Sequence, residues 1–160
     1  MDPPAPVDVV LRAEYWYPDD GGQVWIEGYA LVDGSGRFLA REDPLIAARD
    51  LHVAGVAGAA HHHAAALEAA SLPPGSPVRL ERDRENAYDA HAIRVLADDM
   101  PVQLGWVPRQ LAARIAPDLD AGRPWTALVL REQRRSPRDP RTGLTLLLSP
   151  HPVELRVQAA

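Results

Sequence analysis

The stretch of residues 85–95 constrains the fold most, because a polar turn that holds one aromatic residue runs directly into an alternating segment. Asn86 and Asp89 are typical turn residues, since their short side chains hydrogen-bond to nearby backbone. Ile93 and Val95 alternate with polar residues, the pattern of a half-buried strand. The stretch therefore predicts a turn followed by a strand with one buried face.

Short apolar or alternating segments separated by turn residues make up most of the chain, which predicts a mainly β protein. The predicted strands are residues 7–17, 24–31, 37–40, 51–58, 78–82, 91–97, 102–107, 125–132, 144–149 and 153–157. Two short helices are predicted over residues 61–70 and 108–119, and one helical turn over 44–50. Because closing a sheet removes its exposed edges, we expect a small β-barrel with two short helices.

The predicted division of the chain has two parts. Residues 1–46 are expected to form an N-terminal β-meander, either an appended sheet or extra cover for the barrel, and residues 47–160 the barrel domain. The loop 133–141 is the most basic segment and is too polar and Pro-rich to pack, so we expect it to be mobile. It could reach a nucleic-acid backbone or be a solvated linker.

Composition excludes several function classes. Among its 160 residues the chain has no cysteine, which excludes disulfides, thiolate zinc sites and cysteine nucleophiles and fits a cytoplasmic protein. No segment approaches the roughly 18 apolar residues of a membrane span, so no membrane partner is expected. The net charge of −5 argues against a general nucleic-acid coat but allows recognition of a strand end, where few phosphates must be met.

No catalytic motif stands out, so we expect a protein without enzymatic activity and without a cofactor. The run His61-His62-His63 suggests a metal site at first sight, and a His-dependent metalloenzyme is the third hypothesis for this chain. Adjacent helical residues point about 100° apart, however, so three in a row do not easily bind one ion. We therefore predict no metal site and interpret the run as a solvated helix start.

Two motifs in the second half of the chain resemble the HIRAN domain family. The first is Asn86-Ala87-Tyr88-Asp89-Ala90-His91-Ala92-Ile93-Arg94-Val95, which is similar to the family pattern Asn-Pro-Tyr-Asp-x-x-Ala-Ile-x-Val. The second is Leu104-Gly105-Trp106-Val107-Pro108-Arg109, which resembles the family's Gly-aromatic-Val-Pro-Arg helix entry. The resemblance begins at residue 51 and covers more than half of the chain.

This resemblance implies an OB-like β-barrel that binds single-stranded DNA and has a pocket for the 3′-hydroxyl end. Asp89 would accept a hydrogen bond from the terminal hydroxyl, and Tyr88 would stack on or flank the terminal nucleotide. Asn86 would fix the turn or touch the strand end. A carboxylate beside DNA repels phosphate, which agrees with a site for a phosphate-free end.

Four further residues join the implied DNA-binding site. Trp106 lies where the family has an aromatic or His residue near the pocket, and Arg109 where a basic residue faces phosphate. Gly55 and Val56 end the strand that opens the resemblance, and a glycine within a strand often marks a close approach of backbone or ligand. Arg79 or Arg82 could assist Arg109 in holding phosphate.

The chain departs from the family pattern at three positions. Ala87 replaces the usual proline of the turn, and Ala57 and Gly58 align with an Arg-Tyr pair of the family's DNA-end binders. The residue types also allow purely structural roles. Asn86 and Asp89 would then only shape the turn, and Tyr88 would pack on the barrel wall. Trp106 would be an aromatic residue of the core or its rim, and Arg109 a solvated cation.

Two main hypotheses follow. The first is a non-catalytic module that binds single-stranded DNA, preferably at 3′-OH ends, and acts in DNA repair or replication-fork processing with a separate helicase or nuclease. The alternative is a protein-interaction or scaffold barrel that has lost the DNA-end pocket, which Ala57, Gly58 and the acidic balance favour.

Overall fold

A computed structural model describes residues 3–18, 22–58 and 63–159. Within them the strands are β1 (Ala5–Trp16), β2 (Val24–Leu31), β3 (His52–Gly55), β4 (Val78–Arg82), β5 (Ile93–Ala97), β6 (Gln103–Trp106), β7 (Thr126–Arg134), β8 (Arg141–Ser149) and β9 (Val153–Val157). The helices are α1 (Pro44–Ala48), α2 (Ala64–Ala69) and α3 (Arg109–Asp120). The mainly β prediction is confirmed. The described part of the chain has three helices, and α1 lies where one helical turn is predicted.

The strands form two sheets. One has six strands in the order β3-β8-β7-β2-β1-β9, and the other has three strands in the order β4-β5-β6. All neighbouring pairs are antiparallel except β1 and β9, which are parallel. The sheets therefore differ from the single closed sheet that the sequence predicts.

Two isolated bridges join the sheets. Ala57 pairs with Trp106 at one end, and Pro77 pairs with Leu128 at the other. Proline has no N–H group and cannot continue a ladder. After Ala57 the backbone turns at Gly58, whose φ of 73° ends the extended path. The predicted closed barrel is therefore not confirmed, because a continuous ladder stops at both places.

The N-terminal strands belong to the larger sheet. β1 and β2 pair over eight residues, and β2 also pairs with β7. The predicted strand over 37–40 is wrong, since only a single Val32–Phe38 bridge forms there. Asp33 instead holds this segment in a turn by accepting hydrogen bonds from the Ser35 and Arg37 amides. The predicted boundary between residues 46 and 47 stays a prediction.

Two hydrophobic cores lie on opposite faces of the central strands. The first contains Val129 and Leu146 and includes buried residues of α2, α3 and the smaller sheet. The second contains Leu130 and Leu147 and is completed by residues of β1, β2 and α1. Because successive side chains of a strand point to opposite faces, β7 and β8 supply both cores.

The helices begin and end for local reasons. Pro44 occupies the first position of α1, and the Asp43 carboxylate accepts a hydrogen bond from the Leu45 amide at 2.9 Å. α3 buries Ala112, Ile115 and Ala116. Pro117 does not end the helix, which continues to Asp120. The predicted helix over 61–70 is seen as α2, and its residues 61 and 62 lie outside the described residues.

The hairpin between β7 and β8 corrects the prediction of an unpacked loop. Glu132 accepts hydrogen bonds from Arg134 at 2.8 Å and from Arg141 at 2.9 Å. Arg141 also donates to the Leu67 carbonyl of α2 at 2.8 Å. These arginines are mostly buried because their charges have partners, and both strands extend further into the basic segment than predicted.

Asp118 ties the end of α3 to the segment that precedes β7. Its carboxylate accepts hydrogen bonds from the Trp125 indole at 2.8 Å and from Arg123 at 2.8 Å. The Trp125 hydrogen bond, followed by that of Arg123, lowers the pKa of Asp118 to about 2. Hydrogen bonds to its Ser35 and Arg37 neighbours likewise lower the pKa of Asp33 to about 2.

Substitution of Gly28 by alanine should destabilise the protein strongly. Gly28 has a φ of 144°, and an added Cβ would lie 2.5 Å from the Arg131 Cα and closer still to the Leu130 carbonyl oxygen. Backbone strain and overpacking together predict a loss of at least about 2 kcal/mol in the free energy of unfolding. Urea denaturation of G28A would measure it. Gly34 has open space around it, so G34A is the control.

The Asp118 carboxylate should contribute to stability in acid. Its pKa is lower in the folded than in the unfolded protein, so its stabilisation is complete above the unfolded value of about 4. This stabilisation is lost as the pH falls through the folded value of about 2. We expect D118N to reduce the slope of melting temperature against pH between these values. Equal slopes for D118N, the exposed-turn variant D98N and the parent would contradict this role.

Candidate functional site

The turn between β4 and β5, residues 83–92, is fixed from inside by Asn86. The Asn86 Oδ1 atom accepts hydrogen bonds from the amides of Tyr88 and Asp89, each at 2.9 Å. Its Nδ2 group donates to Asp83 at 3.2 Å. Asn86 therefore shapes the turn, one of the two roles expected for it, and this use of both ends of its side chain explains the residue type.

Tyr88 and Asp89 stand next to each other on the outside of this turn. Tyr88 is 90% exposed, so the interpretation that its ring packs on the protein wall is wrong. The Asp89 Oδ1 atom accepts a hydrogen bond from the His91 amide at 2.9 Å. No residue in the described ranges donates to its second oxygen. Asp89 is therefore only partly used by its own loop.

Arg82 holds the far end of the turn. Its guanidinium donates to the carbonyls of Ala92 at 2.8 Å and Ala90 at 3.0 Å, and to the Asp120 carboxylate of α3 at 3.0 Å. Only 12% of this side chain is exposed. The hydrogen bond from Arg82 is the main reason why the pKa of Asp120 is lowered. Arg82 is thus a structural clamp, and its expected role in holding phosphate is wrong.

Arg109 approaches the turn from the first residue of α3. Its guanidinium is exposed and lies 3.5 Å from the Tyr88 carbonyl oxygen, a long contact. No side chain caps this end of the helix, because the preceding residue is Pro108. The helix therefore presents a cation and free amide groups beside Tyr88.

Trp106, Gly55 and Val56 lie along the contact between the two sheets. The Trp106 backbone exchanges hydrogen bonds with Ala57 at 2.8 and 2.9 Å, and its indole lies against Gly58. Gly55 pairs with Thr145 on β8, and Val56 packs partly buried against the first core. The structure thus brings Asn86, Tyr88, Asp89 and Arg109 together. Trp106 lies at the end of β6, Gly55 at the end of β3, and Val56 directly after β3.

The turn is a surface rather than a cavity. Two cavities of about 680 and 560 Å³ lie elsewhere, and Tyr88, Asp89 and Trp106 line neither of them. Gly55 lines the second cavity together with Pro108 and Leu111. At the turn, Tyr88 and Arg109 are exposed, whereas Asn86, Asp89 and Trp106 are half-buried.

The described ranges contain neither a metal-binding cluster nor a membrane-spanning helix. Within residues 3–18, 22–58 and 63–159, no three His, Asp or Glu side chains are close enough to hold a metal ion. His61 and His62 lie outside these ranges. None of the helices in the described part of the chain is long and apolar enough to cross a membrane.

Loss of the Arg82 clamp should destabilise the fold more than loss of its neighbour Arg84. Both side chains contact Asp120, but Arg84 is 66% exposed, whereas Arg82 also holds two backbone carbonyls. Hydrogen bonds from a buried charged donor predict a loss of about 1.5–3 kcal/mol for R82Q. An exposed ion pair predicts less than about 1 kcal/mol for R84Q. Chemical denaturation of the two variants would measure both losses in the free energy of unfolding. Equal losses for R82Q and R84Q would contradict the prediction.

Comparison with known proteins agrees with the motifs around this site. The HIRAN domain of human HLTF, in a crystal structure, is similar to this chain with 20% identity and a TM-score of 0.45, covering 61% of this chain and 74% of that one. The comparison with curated proteins gives no match. The sequence model of the HIRAN domain matches residues 51–149, more than half of the chain. The chain therefore belongs to the HIRAN domain family.

Proposed function

We propose that this chain is a non-catalytic module that binds single-stranded DNA at 3′-OH ends. Membership of the HIRAN family, whose domains are DNA-binding modules, supports the coarser statement that the chain binds nucleic acid. The observation that carries the finer proposal is the exposed Tyr88 ring beside Asp89, a half-buried carboxylate whose second oxygen has no donor among the described residues.

Tyr88 offers a surface for a base. An aromatic ring that is 90% exposed contributes almost no buried area to the fold, yet its backbone is held by Asn86. Stacking of a base on such a ring is worth roughly 1–3 kcal/mol and tolerates any sequence. The fixed backbone limits the entropy that the ring must lose on binding.

Asp89 distinguishes a 3′-OH end from other parts of a strand. A carboxylate accepts a hydrogen bond from a hydroxyl group but repels a phosphate, so it distinguishes a strand end from the interior of a strand. Its first oxygen is held by the His91 amide, which orients the second. The terminal 3′-OH is the donor that fits this acceptor.

Positive charge at the turn is limited. Arg94 pairs with Glu81 and Asp83. Arg82 and Arg84 both pair with Asp120, so Arg109, which contacts the Tyr88 carbonyl, is the arginine of this site without a carboxylate partner among the described residues. It could meet one phosphate together with the uncapped amides of α3. We therefore expect weak binding with a shallow salt dependence. For a single strand, the slope of log K against log salt concentration is about −0.7 for each phosphate contacted.

The alternative is an interaction or scaffold module without DNA-end binding. Ala57 favours it, because its backbone is bonded to Trp106 and its side chain offers no group for a base or phosphate.

The biological setting also belongs to the proposal. We propose a cytoplasmic role in DNA repair or replication-fork processing, with a separate helicase or nuclease as partner.

Oligonucleotides that differ only at one end test the function. Labelled single strands ending in 3′-OH or 3′-phosphate would be titrated by anisotropy at low salt. We expect the 3′-OH strand to bind more tightly, and D89N to reduce the preference. We expect Y88A to weaken binding about tenfold, from the loss of one stacked base.

Matched variants control for general effects. Tyr17 is 67% exposed and follows the last residue of β1, outside the turn, so Y17A should leave binding of the 3′-OH strand unchanged. The exposed carboxylate Asp99 provides D99N as the control for charge. Equal affinity for both ends, or no binding of either at micromolar protein, would refute end recognition and leave the scaffold alternative.

A further inference from the structure

The larger of the two cavities, about 680 Å³, contains three arginines. Arg12 comes from β1, Arg131 from β7, and Arg41 from the segment that precedes α1. The cavity shares no residue with the turn that holds Tyr88. Its volume lies in the range of small-molecule sites, roughly 300–1,000 Å³.

A β-bulge directs Arg131 into this cavity. Val129 pairs with Leu146 and Arg131 pairs with Thr145, so Leu130 is an extra residue in the ladder. Side chains alternate along a regular strand, which would place Arg131 on the face of Val129, in the first core. The extra residue places Arg131 instead beside Thr145, at the edge of the second core. Bulges often re-aim a side chain in this way.

A glycine separates two of the arginines. Gly28 pairs with Arg12 on one side and with Arg131 on the other, so the three residues form one row across the sheet. Because Gly28 has no side chain, the two backbones approach closely, and an added Cβ would lie 2.6 Å from the Arg131 Cβ. Arg131 donates a hydrogen bond to the Tyr29 carbonyl at 3.0 Å, which orients it in this row.

The positive charge in the cavity is incompletely neutralised. Arg12 forms an ion pair with Glu14. Within the described residues, neither Arg131 nor Arg41 has a carboxylate partner, although Glu42 also lines the cavity. Burial lowers the pKa of Arg131, and the like charges of Arg41 and Arg12 lower it further. Cations held together without sufficient counter-charge favour an anionic ligand.

Aromatic rings stand at the same cavity. Phe38 is 53% exposed and Trp16 is 51% exposed, and both line it. The Arg12 guanidinium lies over the Phe38 ring, 4.4 Å from its centroid. Flat apolar surfaces beside guanidinium groups match the two parts of a nucleotide, the base and the phosphate.

We propose that this cavity is a second ligand site that binds a nucleotide, with its phosphate held by Arg41 and Arg131 and its base placed against Trp16 or Phe38. The nucleotide is either free or part of a single strand. Most of the lining lies outside residues 51–149, so the site is a feature of this chain and does not depend on the turn.

Calorimetric titration of the full chain with 2′,3′-dideoxyadenosine 5′-monophosphate, which has no 3′-OH for Asp89, tests the site. The second probe is 2′,3′-dideoxyadenosine, which lacks the phosphate, and the third is a twelve-residue oligothymidylate blocked by 3′-phosphate. R41Q is the main variant, because Arg41 is exposed and has no hydrogen bond within the described residues that the change would break. R138Q removes the same charge from the exposed hairpin and is the control.

We expect the mononucleotide to bind at least about tenfold more tightly than the nucleoside, and R41Q to weaken it about tenfold, while R138Q leaves it unchanged. If only the oligonucleotide binds and R41Q alone weakens it, the site is supported and its ligand is a strand. If R41Q changes neither ligand, the proposal is overturned. The preference for 3′-OH ends is measured separately with Y88A and D89N, so either site can fail without the other.

Discussion

The site depends on a single guanidinium group, that of Arg82. It joins the last residue of β4 to the carbonyls of Ala90 and Ala92 and to Asp120 on α3. The turn, the smaller sheet and the long helix are thereby held in one arrangement. Because Arg82 and Asn86 fix the backbone between them, Tyr88 and Asp89 can face solvent without loss of order.

Local patterns in the sequence predict much of this fold. β2, β4 and β9 have the bounds that alternation and turn residues predict, and the Asn86 turn follows from side-chain chemistry. The roles of arginines could not be predicted in the same way. Arg82 and Arg141 bond to carbonyls that are distant along the chain or on another element, and alternation only says which face a residue occupies.

The structural features that the sequence does not predict share a cause. The bulge at Leu130 shifts the pairing of β7 with β8 by one residue. Nothing in an apolar segment of sequence marks where such an extra residue lies. The predicted barrel failed for a related reason, because Pro77 and Gly58 interrupt ladders whose partners are set by tertiary packing. The position of Arg131 in the three-arginine cavity depends on that same bulge, so the sequence alone does not predict this cavity.

The exposure of Tyr88 has a consequence for how this surface can change over time. A ring that buries almost nothing contributes little to the free energy of unfolding, so its replacement leaves the scaffold intact. Selection for folding alone would not hold an aromatic residue at this position. A substitution at residue 88 can thus change the chemistry of this exposed surface without a compensating change elsewhere in the chain.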